Sequence, residues 1–128
     1  KQAELEGQDR DKLLRRAAEA LHQGLALSPV DGSAWMWLAE TELLRAGPSD
    51  KAARAVRMSI RVAPHDRTLQ LDRLELALAT WQYFDDRARA ELAEQVRLVH
   101  RRNPNRLYAL ADATGRRDVI DIILENTR

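Results

Sequence analysis

The sequence has no cysteine, and this absence excludes disulfides, thiol nucleophiles and cysteine-ligated zinc. Residues that interrupt helices are few, with 5 glycines and 4 prolines, and aromatic residues make up only 5%. No apolar run approaches about 18 residues, so we expect no direct membrane insertion by this segment. Neither sign of charge dominates, because 21 basic residues face 20 acidic ones for a net charge of +1. The total charge therefore gives no reason to expect a nucleic-acid partner.

The residues that are plentiful favour helices. Hydrophobic residues make up 45% of the 128-residue chain and charged residues 32%, which is typical of a globular domain. Alanine is abundant, whereas the β-branched and aromatic residues that favour strands are scarce. We therefore predict one all-α domain over 1–128, long enough to bury a core. The arginine-rich, lysine-poor composition also suggests a GC-rich bacterial genome.

The clearest pattern is a spacing of small and apolar residues that recurs along the chain and ends each time in proline. It reads Ala17-x3-Leu21-x2-Gly24-x4-Pro29, then Ala52-x3-Val56-x2-Ser59-x4-Pro64, and more loosely Leu92-x3-Val96-x2-Val99-x4-Pro104. A period in this range is typical of helix pairs that stack in a row. Such a fold presents an extended surface, so the pattern favours recognition rather than catalysis.

Turn residues and helix-capping side chains divide the chain into segments. The expected segments are a frayed start over 1–8, a half repeat over 9–29, the best repeat over 32–64, a long degenerate repeat over 66–104 and C-terminal capping helices over 105–128. The expected N-terminal caps are Asp9 or Asp11, then Asp31, Ser49 and Asp66, and finally Asp85 or Asp86. Gly47 is expected to end a helix in a left-handed conformation, and Gly115 is expected to be the C-terminal cap between the last two helices. We predict that the fourth helix extends from about Arg67 to Trp81.

The segment Gly32–Pro64 resembles one unit of the tetratricopeptide repeat. The matching positions are Trp35, Leu38 and Ala39 in the first helix, and Ala52, Val56, Ser59 and Pro64 in the second helix and its final turn. Over residues 12–104 the resemblance is looser outside this unit, since Gln70 and Arg73 replace the Trp and Leu of the next repeat. The resemblance implies an α-α superhelix, a stack of helical hairpins with about seven helices.

The same resemblance implies a function. In that family the first helices line a concave groove that holds a peptide or helix of a partner protein. The positions expected to face the groove here are Met36, Trp37, Glu40, Leu43, Thr68, Leu71, Glu75 and Leu78. Their apolar members would bury the partner, and Glu40 and Glu75 would add polar selectivity. The alternative is that the N-terminal part of the chain or another subunit covers these side chains as ordinary core.

Two other binding functions are compatible with the residues. The first is self-association as a homo-oligomer, through an uncovered face of the first helix that carries Leu14, Leu21 and Leu25. The second is binding of an anion or nucleic acid through the stripe of Arg54, Arg57 and Arg61, for which the simpler explanation is a solvated outer face.

No pattern in the sequence indicates catalysis, a metal or another cofactor. His22, His65 and His100 are far apart and have no carboxylate at ligand spacing on a shared inward face. No serine lies in a nucleophile elbow. We therefore predict a non-catalytic scaffold without a cofactor.

The location of the protein is indicated only by a second, looser resemblance. The run Leu25–Leu44, the turn Pro64-His65-Asp66 and the long fourth-to-fifth helix pair look like soluble parts of small membrane-anchored bacterial proteins. This resemblance implies the periplasmic part of such a protein.

Overall fold

The computed structural model describes residues 2–126, and these form seven α-helices, one short 3-10 helix and no strand. The α-helices are α1 Gln2–Leu27, α2 Gly32–Ala46, α3 Asp50–Val62, α4 Gln70–Ala79, α5 Asp86–Arg102, α6 Pro104–Thr114 and α7 Arg117–Glu125, and the 3-10 helix is Trp81–Tyr83. The prediction of an all-α chain with about seven helices is confirmed. The ends of the predicted frayed start and of the capping segment, residues 1, 127 and 128, lie outside the described residues.

The helices stack in chain order. Each packs mainly on its neighbours in sequence and on the next helix but one. The pairs α2–α3, α4–α5 and α6–α7 are hairpins, α2, α4 and α6 form one row, and α3, α5 and α7 form a second row. We call these the first-helix row and the second-helix row. Within residues 2–126 no extensive contact joins α1 or α2 to α7, so the helices do not close around a single centre.

Three of the predicted caps are confirmed by hydrogen bonds. The oxygens of Asp31, Ser49 and Asp85 accept from the amides of Ala34, Ala52 and Ala88 at 3.0, 3.2 and 2.8 Å. The bond from its helix also holds the pKa of the Asp85 carboxyl below its usual value. These caps were predictable because a capping bond spans only three residues. Gly115 has the left-handed conformation of a helix end, whereas Gly47 combines a positive φ of 75° with a ψ of −170°, so the left-handed conformation expected for Gly47 is wrong.

The fourth helix differs from the prediction, because it begins at Gln70 and ends at Ala79. Asp66 does not cap it. Its Oδ1 accepts instead from the amide and hydroxyl of Thr68, at 3.0 and 2.7 Å, and this closes a turn ahead of the helix. An Asp side chain that bonds two residues ahead stabilises a turn in place of a helical start.

The prediction of a frayed start is wrong, because α1 is continuous from Gln2. Asp9 and Asp11 therefore lie inside the helix and cap nothing. Gly7 lies inside this segment. A glycine inside a helix costs about 1 kcal/mol relative to alanine, and the surrounding helix-forming residues offset this cost. The ion pair between Asp11 and Arg15, at 3.0 Å and one turn apart, supports the same segment.

The α1 face proposed for self-association is also not free. Leu25 is buried and Leu21 packs against the core, because α1 packs on α2 along this stripe. Leu14 is half-buried on the same stripe. The face therefore stabilises the end of the stack, and a second copy would have to bind elsewhere.

Candidate partner-binding groove

A groove lies between α2 and α4 on the first-helix row. Its volume is 400 Å³, and it is lined by Glu40, Leu43, Leu44, Asp72, Glu75, Leu76, Ala79 and Thr114. The lining residues of each helix recur at steps of three and four, so each helix contributes one face. The lining combines leucine and alanine side chains with carboxylates. A surface of this kind can bury an apolar side chain and pair with a charge at the same time.

The structure places three of the sequence-predicted contacts in this groove, namely Glu40, Leu43 and Glu75. Trp37 is not among the lining residues, but it lies one helical turn before Glu40 on the face of α2 that carries Leu44, and it is 54% exposed. Leu44, which the sequence analysis did not select, is 50% exposed and lines the groove as well. Its spacing of seven residues from Trp37 is the signal that could have identified it.

Two predicted contacts lie at a different place. Thr68 precedes α4 and is exposed. Leu71 is half-buried and lines a separate cavity of 260 Å³, which it shares with Arg67 and Arg102. The structure therefore does not bring these two residues together with Glu40 and Leu43.

The prediction is wrong for Met36 and Leu78. Met36 is 6% exposed and Leu78 is 0% exposed, so both belong to the core and neither can contact a partner in this structure. The reason is the number of helices that pack against α2 and α4. α4 contacts α2, α3, α5 and α6, which leaves only a narrow stripe uncovered. The simple explanation, ordinary core, holds for these two residues.

The groove carries a concentrated negative charge. Glu40, Asp72 and Glu75 line it and no basic residue does. In the part of the chain that the structure describes, none of the three carboxylates lies in an ion pair. The groove thus combines an apolar surface with three carboxylates that have no ion-pair partner among the described residues.

The arginine stripe on the second-helix row has the opposite character. Arg54 pairs with Asp50 at 2.8 Å. Arg61 forms a two-pronged bond to Glu91, with donor–acceptor distances from 2.9 to 3.1 Å, and these bonds raise the pKa of Arg61. Arg57 lies in no ion pair among the described residues, and its buried Nε has no hydrogen-bond partner. Two of the three arginines are thus paired, and charges that are already paired attract a polyanion less strongly. The geometry therefore favours the solvated outer face over an anion site.

A buried polar cluster centres on Arg73, which is 1% exposed. Its Nη1 donates to the carbonyl oxygens of Ser59 and Ala63, at 2.9 and 2.7 Å. Its Nη2 donates to Gln95 Oε1 at 3.0 Å. The two carbonyls belong to the last turn of α3 and the residue after it, where the helix dipole is negative. Each also accepts a backbone bond, from the amides of Ala63 and Asp66 at 3.1 and 3.3 Å. Burial lowers the pKa of Arg73, and the charge of Asp66 opposes that shift.

The sequence analysis noted Arg73 only as a departure from the repeat pattern. In the structure it joins α4 to the end of α3 and, through Gln95, to α5. Gln95 in turn donates through Nε2 to the carbonyl oxygen of Pro64 at 3.0 Å. The cluster is therefore a structural joint that fixes neighbouring helices and holds the groove helix α4 in place.

No group of three or more His, Asp or Glu side chains that could hold a metal ion occurs among residues 2–126. Within the same residues, no helix combines the length and the apolar character needed to cross a membrane.

Comparison with known proteins adds no assignment: no family model matches this chain, and neither a curated protein nor a solved structure matches it significantly. The resemblance to the tetratricopeptide repeat therefore stays a prediction that depends on residue spacing.

Proposed function

We propose that this protein is a non-catalytic protein-interaction scaffold of the tetratricopeptide-like type, and that the groove between α2 and α4 binds a peptide or helix of a partner protein. The observation that carries the proposal is the exposure of large apolar side chains along this groove. Leu44 and Trp37 are both about half exposed, on one face of one helix. Apolar side chains that line a concave, charged surface are typical of a contact site.

The exposed apolar surface supplies part of the binding free energy. Complete burial of a leucine or similar side chain contributes about 1.5–3 kcal/mol, so covering the exposed halves of Leu44 and Trp37 contributes about 2 kcal/mol together. Contacts to Leu43 and Ala79 along the groove add to this. Because association costs about 4 kcal/mol or more, a partner also needs polar contacts to the groove's carboxylates.

The test is a selection from a random peptide library on the intact chain, followed by binding measurements on a groove variant. The variant is Trp37→Gln with Leu44→Gln, which removes exposed apolar surface without touching the core. We expect the selected peptides to bind this variant up to about tenfold more weakly, which corresponds to a loss of about 1.4 kcal/mol of binding free energy.

The control variant is Leu5→Gln with Leu13→Gln, two exposed leucines of α1 that lie outside the groove. It changes a comparable amount of exposed apolar surface and should leave binding unchanged. Equal binding of every selected peptide to the wild type and to the groove variant would overturn the proposal.

A further inference from the structure

The acidity of the groove is local, because the chain as a whole has a net charge of +1. Most acidic residues on the helix surfaces have an arginine one turn away, as Asp50 has Arg54 and Asp11 has Arg15. Glu40, Asp72 and Glu75 are different. The positions three and four residues before and after each of them carry no lysine or arginine. The positions where neutralising partners normally lie on a helix are therefore occupied by other residue types.

The arrangement also places like charges together. Asp72 and Glu75 are three residues apart on α4 and face the same groove. Like charges at this spacing repel each other and weaken a helix slightly. A positive charge placed between them removes that repulsion, so a cation is stabilised here by both carboxylates.

We infer that the groove's partner is a cationic amphipathic segment of another protein, in which large apolar side chains on one face are flanked by lysine or arginine. This inference rests on the proposed function and deepens it. The partner's apolar side chains pack on Leu43, Leu44 and Ala79, and its cationic groups pair with the carboxylates between them.

The other charge classes fit the groove less well. An acidic segment adds like charges to three unpaired carboxylates. A neutral apolar segment covers the carboxylates and removes them from water without supplying a partner, which is unfavourable. A small polycation supplies charge and leaves Leu44 uncovered. Only a segment that is both cationic and apolar covers the groove's leucines and also pairs with its carboxylates.

The experiment uses two designed helical peptides of about 14 residues, or four turns. Both carry leucines at helical spacing on one face. The first has lysine at its flanking positions and the second has glutamate there. Each is labelled with fluorescein and titrated with the intact chain, and binding is measured by fluorescence anisotropy. We expect the lysine peptide to bind at least about tenfold more tightly, and more weakly as salt is raised.

A matched pair of variants separates the groove's charge from the charge of the whole protein. Glu40→Gln with Glu75→Gln removes two groove carboxylates and keeps their shape. Glu6→Gln with Glu19→Gln removes two exposed carboxylates of α1 and so changes the net charge equally. We expect the first variant to bind the lysine peptide about three- to tenfold more weakly, the range for two exposed ion pairs. The second should change binding less than about twofold.

Each result decides between the claims. Equal weakening by the two carboxylate variants, stronger binding of the glutamate peptide, or no binding of the lysine peptide up to about 1 mM overturns the cationic inference. The proposed function survives those results if Trp37→Gln with Leu44→Gln still weakens the peptides selected from the library. If that variant changes the binding of no peptide, the proposed function fails as well.

Discussion

The groove acids of the first-helix row and the Arg61–Glu91 pair of the second-helix row differ in whether their charges are paired. On the second-helix row Arg61 of α3 meets Glu91 of α5 in a two-pronged ion pair, so opposite charges join neighbouring helical hairpins. On the first-helix row Glu40 of α2 and Glu75 of α4 face one groove with no cation between them. One set of charges is satisfied within the chain and contributes to the stack. The other set is left unpaired, which is what a surface prepared for a partner requires.

Between the two rows lies the Arg73 cluster, and its loss should have one of the two largest effects on stability. Arg73→Met removes the donor to the amide oxygen of Gln95, and the carbonyls of Ser59 and Ala63 keep only their bonds from the amides of Ala63 and Asp66. One unpaired buried acceptor and two lost charge-assisted bonds cost about 1–3 kcal/mol each, and removal of a buried charge offsets part of this, so we expect a loss of about 2 kcal/mol. Urea denaturation followed by circular dichroism measures it.

Arg73→Lys is the matched control for that prediction. Lysine keeps the charge and cannot reach both carbonyls and Gln95 as a guanidinium does, so we expect an intermediate loss. If Arg73→Met changed the free energy of unfolding by less than about 1 kcal/mol, the cluster would not stabilise the packing of α3, α4 and α5.

The second prediction compares the buried and exposed faces of α2 with one substitution. Met36→Gln places an amide among core side chains and should lower the free energy of unfolding by about 2 kcal/mol. Leu44→Gln places the same amide in an open groove and should change it by less than about 0.5 kcal/mol. Thermal unfolding of both variants gives the comparison. Similar losses for the two would mean that Leu44 is core and that the groove is not open.

The third prediction concerns the paired charges of the second-helix row. Arg61→Gln removes the ion pair to Glu91, and we expect a loss of about 0.5–1 kcal/mol at low salt, the upper range for a surface pair with two-pronged geometry. The loss should shrink as salt is raised toward 1 M, where screening acts within about 3 Å. An unfolding series at several salt concentrations tests this, and a loss independent of salt would contradict it.

The smallest effect is expected for the unpaired groove acids. Glu75→Gln removes repulsion from Asp72, so stability should stay the same or rise by about 0.3 kcal/mol. The same change should weaken binding of the lysine peptide. A clear loss of stability would show that Glu75 has an intramolecular role, and the contrast between the rows would then fail.

The sequence predicted the features of this molecule that depend on near neighbours. The caps Asp31, Ser49 and Asp85 follow from bonds that span three residues, and the seven helices follow from these caps and from prolines and glycines. The unpaired state of Glu40 could also have been read from the sequence, since it depends on the residues one turn away.

Other features depend on residues that are distant in the sequence. Whether Met36 faces a groove or the core is decided by how many helices surround α2, which no local spacing reveals. The partners of Arg73 lie 10 to 22 residues away, so its role was hidden behind its mismatch to the repeat. The start of α1 differs from the prediction because Gly7 and the possible caps Asp9 and Asp11 indicate a later start, whereas the helix-forming residues around them extend the helix to Gln2.

The most direct measurement of the central claim is nuclear magnetic resonance mapping of the lysine peptide on the ¹⁵N-labelled chain. We predict that amide shifts concentrate in 37–44 of α2 and 72–79 of α4, and that at the same peptide concentration they become smaller together in Glu40→Gln with Glu75→Gln as binding weakens. Shifts concentrated instead on α1 or on the second-helix row, with these two stretches unchanged, would contradict the account.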